Sequence, residues 1–433
     1  MKRLLAKKET VPQALAKSSI LAFLSKGLGY LKYLAIAYFL GFGAKTDAYF
    51  IAISLLGLFA VFADVFDSIG VPNLVRALQS SKEEFENLAG VLLTFTTILA
   101  VTLAFLALIL SPILPYVAIG FTKANQAEVR KLFLILIPYL FLSFFFHHCG
   151  AILRSQRKFT VFFIGNFIFS IVSCGYIFAA LPFIRKVWVL PASFTIGQLI
   201  ATLFILYYSR EYLSFKWQWN SVTKKIGKQF LSLTGVYFIS HIFTITDNAF
   251  ASLLPIKIIT ALNYGLAIAG IPGALLPFAN ISITPLSETD ADIQKAKRYF
   301  RFLLLYSFPF ILLTWLFISP ALKILLGYGR FSNLDLNLTS EAAKYYIFSL
   351  PLMMVWGVLY RIFLIKDKVL MVLFFIFITA LLNIGLKYLF IIHLHFGLIG
   401  IPLTTFIINF ALCAVAYQFF LKISKNAAEG KME

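Results

Sequence analysis

Two lysines stand inside an apolar run near the start of the chain. Lys26 and Lys32 interrupt residues 18–41, where Leu21, Phe23, Leu24, Leu28 and Leu34 spread around every side of a helix. A helix that is apolar all round is surrounded by lipid or protein, so neither lysine has a wet face to occupy. Charge inside a membrane span is costly and marks a polar pathway or a buried pair. An ammonium in such a place can hold an anion, such as a phosphate, or neutralise a carboxylate. Asp64 and Asp67 offer carboxylates at i and i+3 of the next run, at the depth of Lys26 if the two helices are antiparallel. A pair between Lys26 and one of these acids is one reading. Lys32 lies deeper, with no acid at its depth, and is the stronger candidate for holding an anion. Asp47 opens the second run within Thr46-Asp47-Ala48-Tyr49-Phe50.

A second polar set lies in the C-terminal half. Asp247 and Lys387 each stand about 18 residues along their runs, and at about 1.5 Å per residue they share a depth. Asn383, one helical turn before Lys387, shares its face. Asn263 and Thr404 are further polar groups within apolar runs. The spacing of Asp247 and Lys387 admits an ion pair, or a lysine that snorkels to the headgroups beside an unpartnered acid.

Other chemistry is less well served. His147 and His148 are adjacent, so on a helix they point about 100° apart and cannot share a metal. Cys149, Cys174 and Cys413 lack metal-ligand spacing and read as small apolar core residues. No cofactor or metal is implied. There is no phosphate-binding glycine loop of the Walker type and no pore-loop filter. A lipid-modifying enzyme would need clustered catalytic groups at the interface, where only the two histidines come near.

The elements that carry these residues follow from composition. The 433 residues are 61% hydrophobic and 13% charged, with a mean hydropathy of +0.89. Spanning a bilayer takes about 20 apolar residues. Twelve such runs lie near 18–41, 47–71, 88–115, 131–151, 159–184, 188–208, 229–254, 258–286, 300–327, 343–364, 369–392 and 397–420. The chain is thus expected to be an all-α polytopic membrane protein with twelve transmembrane helices. Its net charge of +20 does not indicate nucleic acid. With the N-terminus inside, about two-thirds of the lysines and arginines fall on the inner side, as the positive-inside rule requires. Both termini are then cytoplasmic, and the basic inner face favours anionic lipids.

The expected organisation is an N-terminal lobe over 1–210, an interfacial connector over 211–227, a C-terminal lobe over 228–421 and a disordered tail over 422–433. The connector carries Trp217 and Trp219 among Lys216, Lys224 and Lys225, which suits the headgroup level. The halves can be superposed. Tyr49 matches Tyr264, Gly175 matches Gly385 and Pro191 matches Pro402, at offsets of 264 − 49 = 215, 385 − 175 = 210 and 402 − 191 = 211. Six helices per half make the repeats parallel, an arrangement found in transporters with a substrate site between halves. Gly, Pro and Asn crowd the eighth run, as in a bent helix lining a cavity. The third run reads as featureless, and residues 331–338 as an outer loop.

Several motifs carry a family resemblance. Gly29-Tyr30, Gly41-Phe42-Gly43 and Thr46-Asp47-Ala48-Tyr49-Phe50 resemble the first helix pair of the MurJ/MviN lipid II flippases. So do Asp247-Asn248-Ala249-Phe250-Ala251-Ser252 and Ile271-Pro272-Gly273, followed by Ile283-Thr284-Pro285-Leu286-Ser287. These flippases belong to the multidrug/oligosaccharidyl-lipid/polysaccharide (MOP) exporter superfamily. The resemblance implies two six-helix lobes in a V around a central cationic cavity in the bacterial inner membrane. It implies alternating access for an undecaprenyl-diphosphate-linked sugar such as lipid II, by a monomer that is not an enzyme. Lys26, Lys32 and Asp47 fall where the family has charged residues; Asp64, Asp67 and Asn263 complete the expected substrate-binding set. Asp247, Asn383 and Thr404 fall at a sodium site of some relatives, where Lys387 stands in place of a second acid. The chain also departs from the family. It reads Leu56-Gly57-Leu58-Phe59-Ala60 and Ala267 where basic residues are usual, and lacks two further C-terminal helices. An O-antigen or exopolysaccharide unit on the same carrier, or a small molecule exported with a cation, therefore remains an alternative cargo.

Overall fold

A computed structural model describes residues 11–218, 220–275, 293–366 and 368–428. Every regular element among them is helical. In hydrocarbon a backbone must satisfy its own polar groups, and a helix does so within one segment.

The helices are α1 (Val11–Phe39), α2 (Ala44–Ser80), α3 (Lys82–Leu110), α4 (Lys123–Ser155), α5 (Phe159–Ile184), α6 (Val189–Ser209) and α7 (Ser221–Ala251). There follow α8 (Ile258–Ala269), the short α9 (Ile271–Leu275), α10 (Ile293–Leu326), α11 (Asn333–Tyr346), α12 (Leu350–Ile365), α13 (Val369–Lys387) and α14 (Gly400–Ala428). Polar caps mark where apolar runs begin. Ser81 Oγ accepts from the Glu84 N–H at 3.0 Å at the head of α3, and Thr122 Oγ1 from the Asn125 N–H at 3.3 Å at the head of α4.

Among the described residues eleven helices are long and apolar enough to cross a membrane, and Ile258–Ala269 is a shorter apolar helix at the eighth position. The order matches the twelve expected runs. The eighth run breaks at Gly270 between α8 and α9, and its remainder, with Pro277, Asn280 and Pro285, lies outside the described residues.

The chain divides into two compact units between His241 and Ile242, with residues 118–120 grouped with the second. The boundary therefore falls inside α7 and not in the connector 211–227. The reason is packing. Phe230 of α7 lies 5.1 Å from the ring of Phe66 on α2, and Asn73 donates to Gln229 at 3.3 Å. The start of α7 is thus bound to α2. Within the first unit α2 packs on α4, α4 on α6, α5 on α6 and α1 on α5. A core of Phe146, Leu153, Phe162 and Ile205, with Cys149, joins α4, α5 and α6. Within the second unit α11 packs against α8 and α10, and α14 against α12 and α13.

Three local expectations are corrected. Residues 331–338 are not a plain loop: α11 starts at Asn333, behind a capping box in which Ser332 Oγ accepts from the Asp335 N–H and Asp335 Oδ2 accepts from the Ser332 N–H. The segment 422–433 is helical through Ala428, because Lys422, Lys425 and the alanine pair at 427–428 sustain a helix. The third helix is not featureless. Gly90 lets the connector cross it: a Cβ there would sit 2.9 Å from Lys216 Cγ. Thr94 Oγ1 donates to the Lys216 carbonyl at 2.8 Å, and Trp217 stacks on Phe95 with ring centres 5.8 Å apart. The connector is strapped along α3.

Candidate functional site

The second unit places three of the expected residues together. α13 is apolar apart from Thr379 until its last two turns, where Asn383 and Lys387 share a face. The backbone then passes into a π-helical turn over Tyr388–His393, a form often found beside functional sites. Lys387 is fully buried, and its ammonium contacts both the Asp247 carboxylate on α7 and the Asn383 side-chain oxygen. The Asp247 side chain keeps 20% exposure. A buried ammonium needs a paired charge and further acceptors to offset lost hydration, and here it has one of each. Asn248, the next residue on α7, is buried, and Asn263 of α8 donates to its Oδ1 at 3.4 Å and to the Ile259 carbonyl at 2.8 Å. Thr404 is buried as well, but its hydroxyl donates back to the Gly400 carbonyl of its own helix at 2.8 Å. The Lys387 ammonium thus lies between the Asp247 carboxylate and the Asn383 side-chain oxygen. No group of three or more His, Cys, Asp or Glu side chains with metal-binding spacing exists among the described residues.

The first unit holds Lys32 in a different way. It is 8% exposed, and its Nζ lies 4.9 Å from the ring centres of both Phe169 on α5 and Phe194 on α6. The two rings meet edge to face at 5.7 Å, and Tyr139 of α4 packs on both, at 5.9 and 5.6 Å. Aromatic faces attract a cation by about 2 kcal/mol when desolvated. Among the described residues no carboxylate pairs with Lys32, so the rings stabilise its charge without cancelling it. This ring clamp was not legible in the sequence, because Lys32, Phe169 and Phe194 lie on three separate helices.

The other expected residues are dispersed. Lys26 is exposed on α1, while Asp47 is buried in the first turn of α2, where a carboxylate suits the helix dipole. Asp64 and Asp67 belong to α2, but their side chains lie outside the described residues. His148 is buried, with Nδ1 3.5 Å from Thr96 Oγ1 of α3, so it is a packed helix contact and not an interfacial one. The three cysteines are free and buried. A second ion pair escaped the sequence reading: Lys257, at the head of α8, reaches Asp335 Oδ1 at 2.9 Å. The left-handed backbone of Lys257, at φ 90°, turns the chain between α7 and α8. No sequence signal marks that pair, since its members are 78 positions apart.

These units, each an all-helical bundle with charge buried among apolar helices, are those of a multi-pass membrane protein. A solved structure described as lipid II flippase MurJ, inward closed conformation, superposes with a TM-score of 0.78 at 21% identity, over 95% of this chain and 90% of that one. An inward-facing multidrug resistance MATE family transporter of the MOP superfamily superposes at 0.73 and 16% identity, over 96% of each chain. The family described as lipid II flippase MurJ matches residues 36–431, and this chain belongs to it. A probable lipid II flippase MurJ of Aquifex aeolicus is 25% identical over 407 residues, which span 91% of this chain and 80% of the relative. One from Buchnera aphidicola subsp. Schizaphis graminum is 24% identical over 78% of this chain and 70% of the relative.

Proposed function

We propose that this protein moves an undecaprenyl-diphosphate-linked cell-envelope sugar precursor, lipid II, from the inner to the outer leaflet of the bacterial cytoplasmic membrane by alternating access. The observation that carries the reading is the family match over residues 36–431. The activity is transport, and the product serves peptidoglycan synthesis on the outer face.

A diphosphate passing through a low-dielectric region needs compensating positive charge. Lys32 meets that need: it is a buried cation held by aromatic rings, with no acid paired to it among the described residues. Lys26, Asp47, Asp64, Asp67 and Asn263 make up the rest of the proposed substrate-binding set. In the second unit the Lys387 ammonium acts as a tethered cation at Asp247 and Asn383, so transport has no need of sodium there. The lysine and arginine bias supports cytoplasmic termini and contact with anionic lipids. The protein works as a monomer.

The test is a proteoliposome assay that follows fluorescent lipid II across the bilayer. Wild-type protein is expected to flip it, and Lys32→Ala to abolish flipping while thermal unfolding stays unchanged. Lys32→Arg should retain part of the rate. Full transport by Lys32→Ala would remove Lys32 from the pathway, and no flipping by the wild type would remove the cargo.

A further inference from the structure

We propose that one end of the first unit carries a bipartite docking site for a phosphate-linked sugar lipid, separate from the Lys32 clamp, where the lipid is held before transport. The proposal rests on the function proposed above and adds where the cargo first binds. The site lies where the end of α2, the start of α3, the connector and the start of α7 converge. The proposed orientation puts this end at the cytoplasmic leaflet.

Two neighbouring cavities of about 460 and 670 Å³ share Val91 and Thr223 as common wall. Each falls within the roughly 300–1,000 Å³ of small-molecule sites. Their linings differ sharply. The smaller is walled by the amides of Asn73, Asn87, Gln218 and Asn220. Asn87 Oδ1 accepts from Lys216 and Asn220 Oδ1 from the Thr223 N–H at 3.0 Å, which leaves their NH₂ groups able to donate. Arg76 and Lys225 add positive charge and Glu84 one negative charge. The larger cavity is an apolar groove, with Phe66 and Phe230 on one wall and Leu92, Phe95, Ile98 and Leu99 on the other. Lys224 and Lys228, one helical turn apart on α7, also line it and are exposed.

The groove suits an apolar tail. The four cations Arg76, Lys224, Lys225 and Lys228, with Glu84 the one acid among the described lining residues, suit a phosphate group at the junction. The amide-lined cup suits a sugar, whose hydroxyls pair with side-chain amides. An ordinary anionic glycerophospholipid would use the groove and the cations and leave the NH₂ groups of Asn87, Gln218 and Asn220 unused. The charge and hydrogen-bond pattern therefore favours a lipid-linked sugar. The connector completes the site: Gln218 and Asn220 reach the cup because Gly90 and Thr94 hold the preceding residues against α3.

The test uses the full chain in nanodiscs and proteoliposomes. A photoactivatable polyprenyl-diphosphate disaccharide is crosslinked to the wild type, and the labelled peptide is mapped. Flipping rate is then measured against lipid mole fraction for the wild type, for Lys224→Ala with Lys228→Ala, and for Leu99→Trp, which fills the groove. The crosslink is expected on α3 between Val91 and Thr102. Both variants should raise the mole fraction for half-maximal flipping about tenfold while keeping the maximal rate, because lysines near the surface each add to anion attraction. Phosphatidylglycerol in about tenfold excess should not protect α3. Protection by phosphatidylglycerol would make this an ordinary anionic-lipid site and overturn the proposal. So would a crosslink that avoids α3, an outcome that needs no variant to fold. Wild-type flipping with unaltered variants would remove the docking site and leave the function standing. A crosslink on α3 without flipping would do the reverse.

Discussion

Lys387 shows how one side chain can settle the electrostatics of a unit. A charge at the centre of a membrane span costs about 3 kcal/mol on insertion scales, so a fully buried lysine persists only with partners. Its partners are Asp247 and Asn383. Asp247→Asn leaves the ammonium buried without a counter-charge and should destabilise the protein by about 3–5 kcal/mol. Lys387→Met leaves a carboxylate that retains 20% exposure, so its cost should be smaller. The double variant should recover much of the loss, read as thermal unfolding midpoints in detergent. Additive losses would mean that the two residues do not work as a pair. If the ammonium stands in for a bound cation, exchanging sodium for choline should leave the flipping rate unchanged. Lys387→Met, which reopens the position, is the variant in which added sodium should raise the unfolding midpoint.

At the scale of elements, the strap of the connector along α3 is the feature most open to test. Gly90 is required by close approach, since a Cβ would press on Lys216 and on the Ser214 backbone. Gly90→Val should push the connector away and break the bond from Thr94 to the Lys216 carbonyl, at a cost of about 1–3 kcal/mol. The expected readout is faster proteolysis at Lys216 and Lys224–Lys225, with the helical content retained. An unchanged cleavage rate would show that the strap tolerates a side chain at this crossing. Thr94→Val removes only the hydrogen bond and should accelerate cleavage less. The ring clamp is likewise a property of elements: α5 and α6 bring Phe169 and Phe194 to Lys32 on α1. Phe194→Leu should therefore lower flipping less than Lys32→Ala does, because one ring remains.

For the whole molecule, orientation is the prediction with the clearest outcome. Both termini are proposed to be cytoplasmic, which puts residues 328–334 outside and the connector inside. Leu334→Cys, at a residue 55% exposed, should react with a membrane-impermeant maleimide in intact cells. Trp217→Cys, at a residue 66% exposed, should react only after permeabilisation. Labelling of Trp217→Cys from outside would invert the topology and, with it, the leaflet at which the docking site opens.

The sequence by itself determined the class of this protein, because hydropathy is a local property. Runs of about 20 apolar residues define spans without knowledge of their neighbours. The motifs around Asp47 and Asp247 reveal the family in the same local way, and equal distance along two helices is enough to set Asp247 and Lys387 at one depth. Depth does not specify which side of a helix meets which neighbour. Only the tertiary structure decided that Lys387 reaches Asp247, 140 positions away (387 − 247 = 140), while Thr404 turns back to its own helix. It alone decided that Lys32 sits against the rings of Phe169 and Phe194, and that α7 is shared between two units at His241. Rotation about a helix axis and the path of the connector depend on the packing of many side chains at once, and no short stretch of sequence contains that sum.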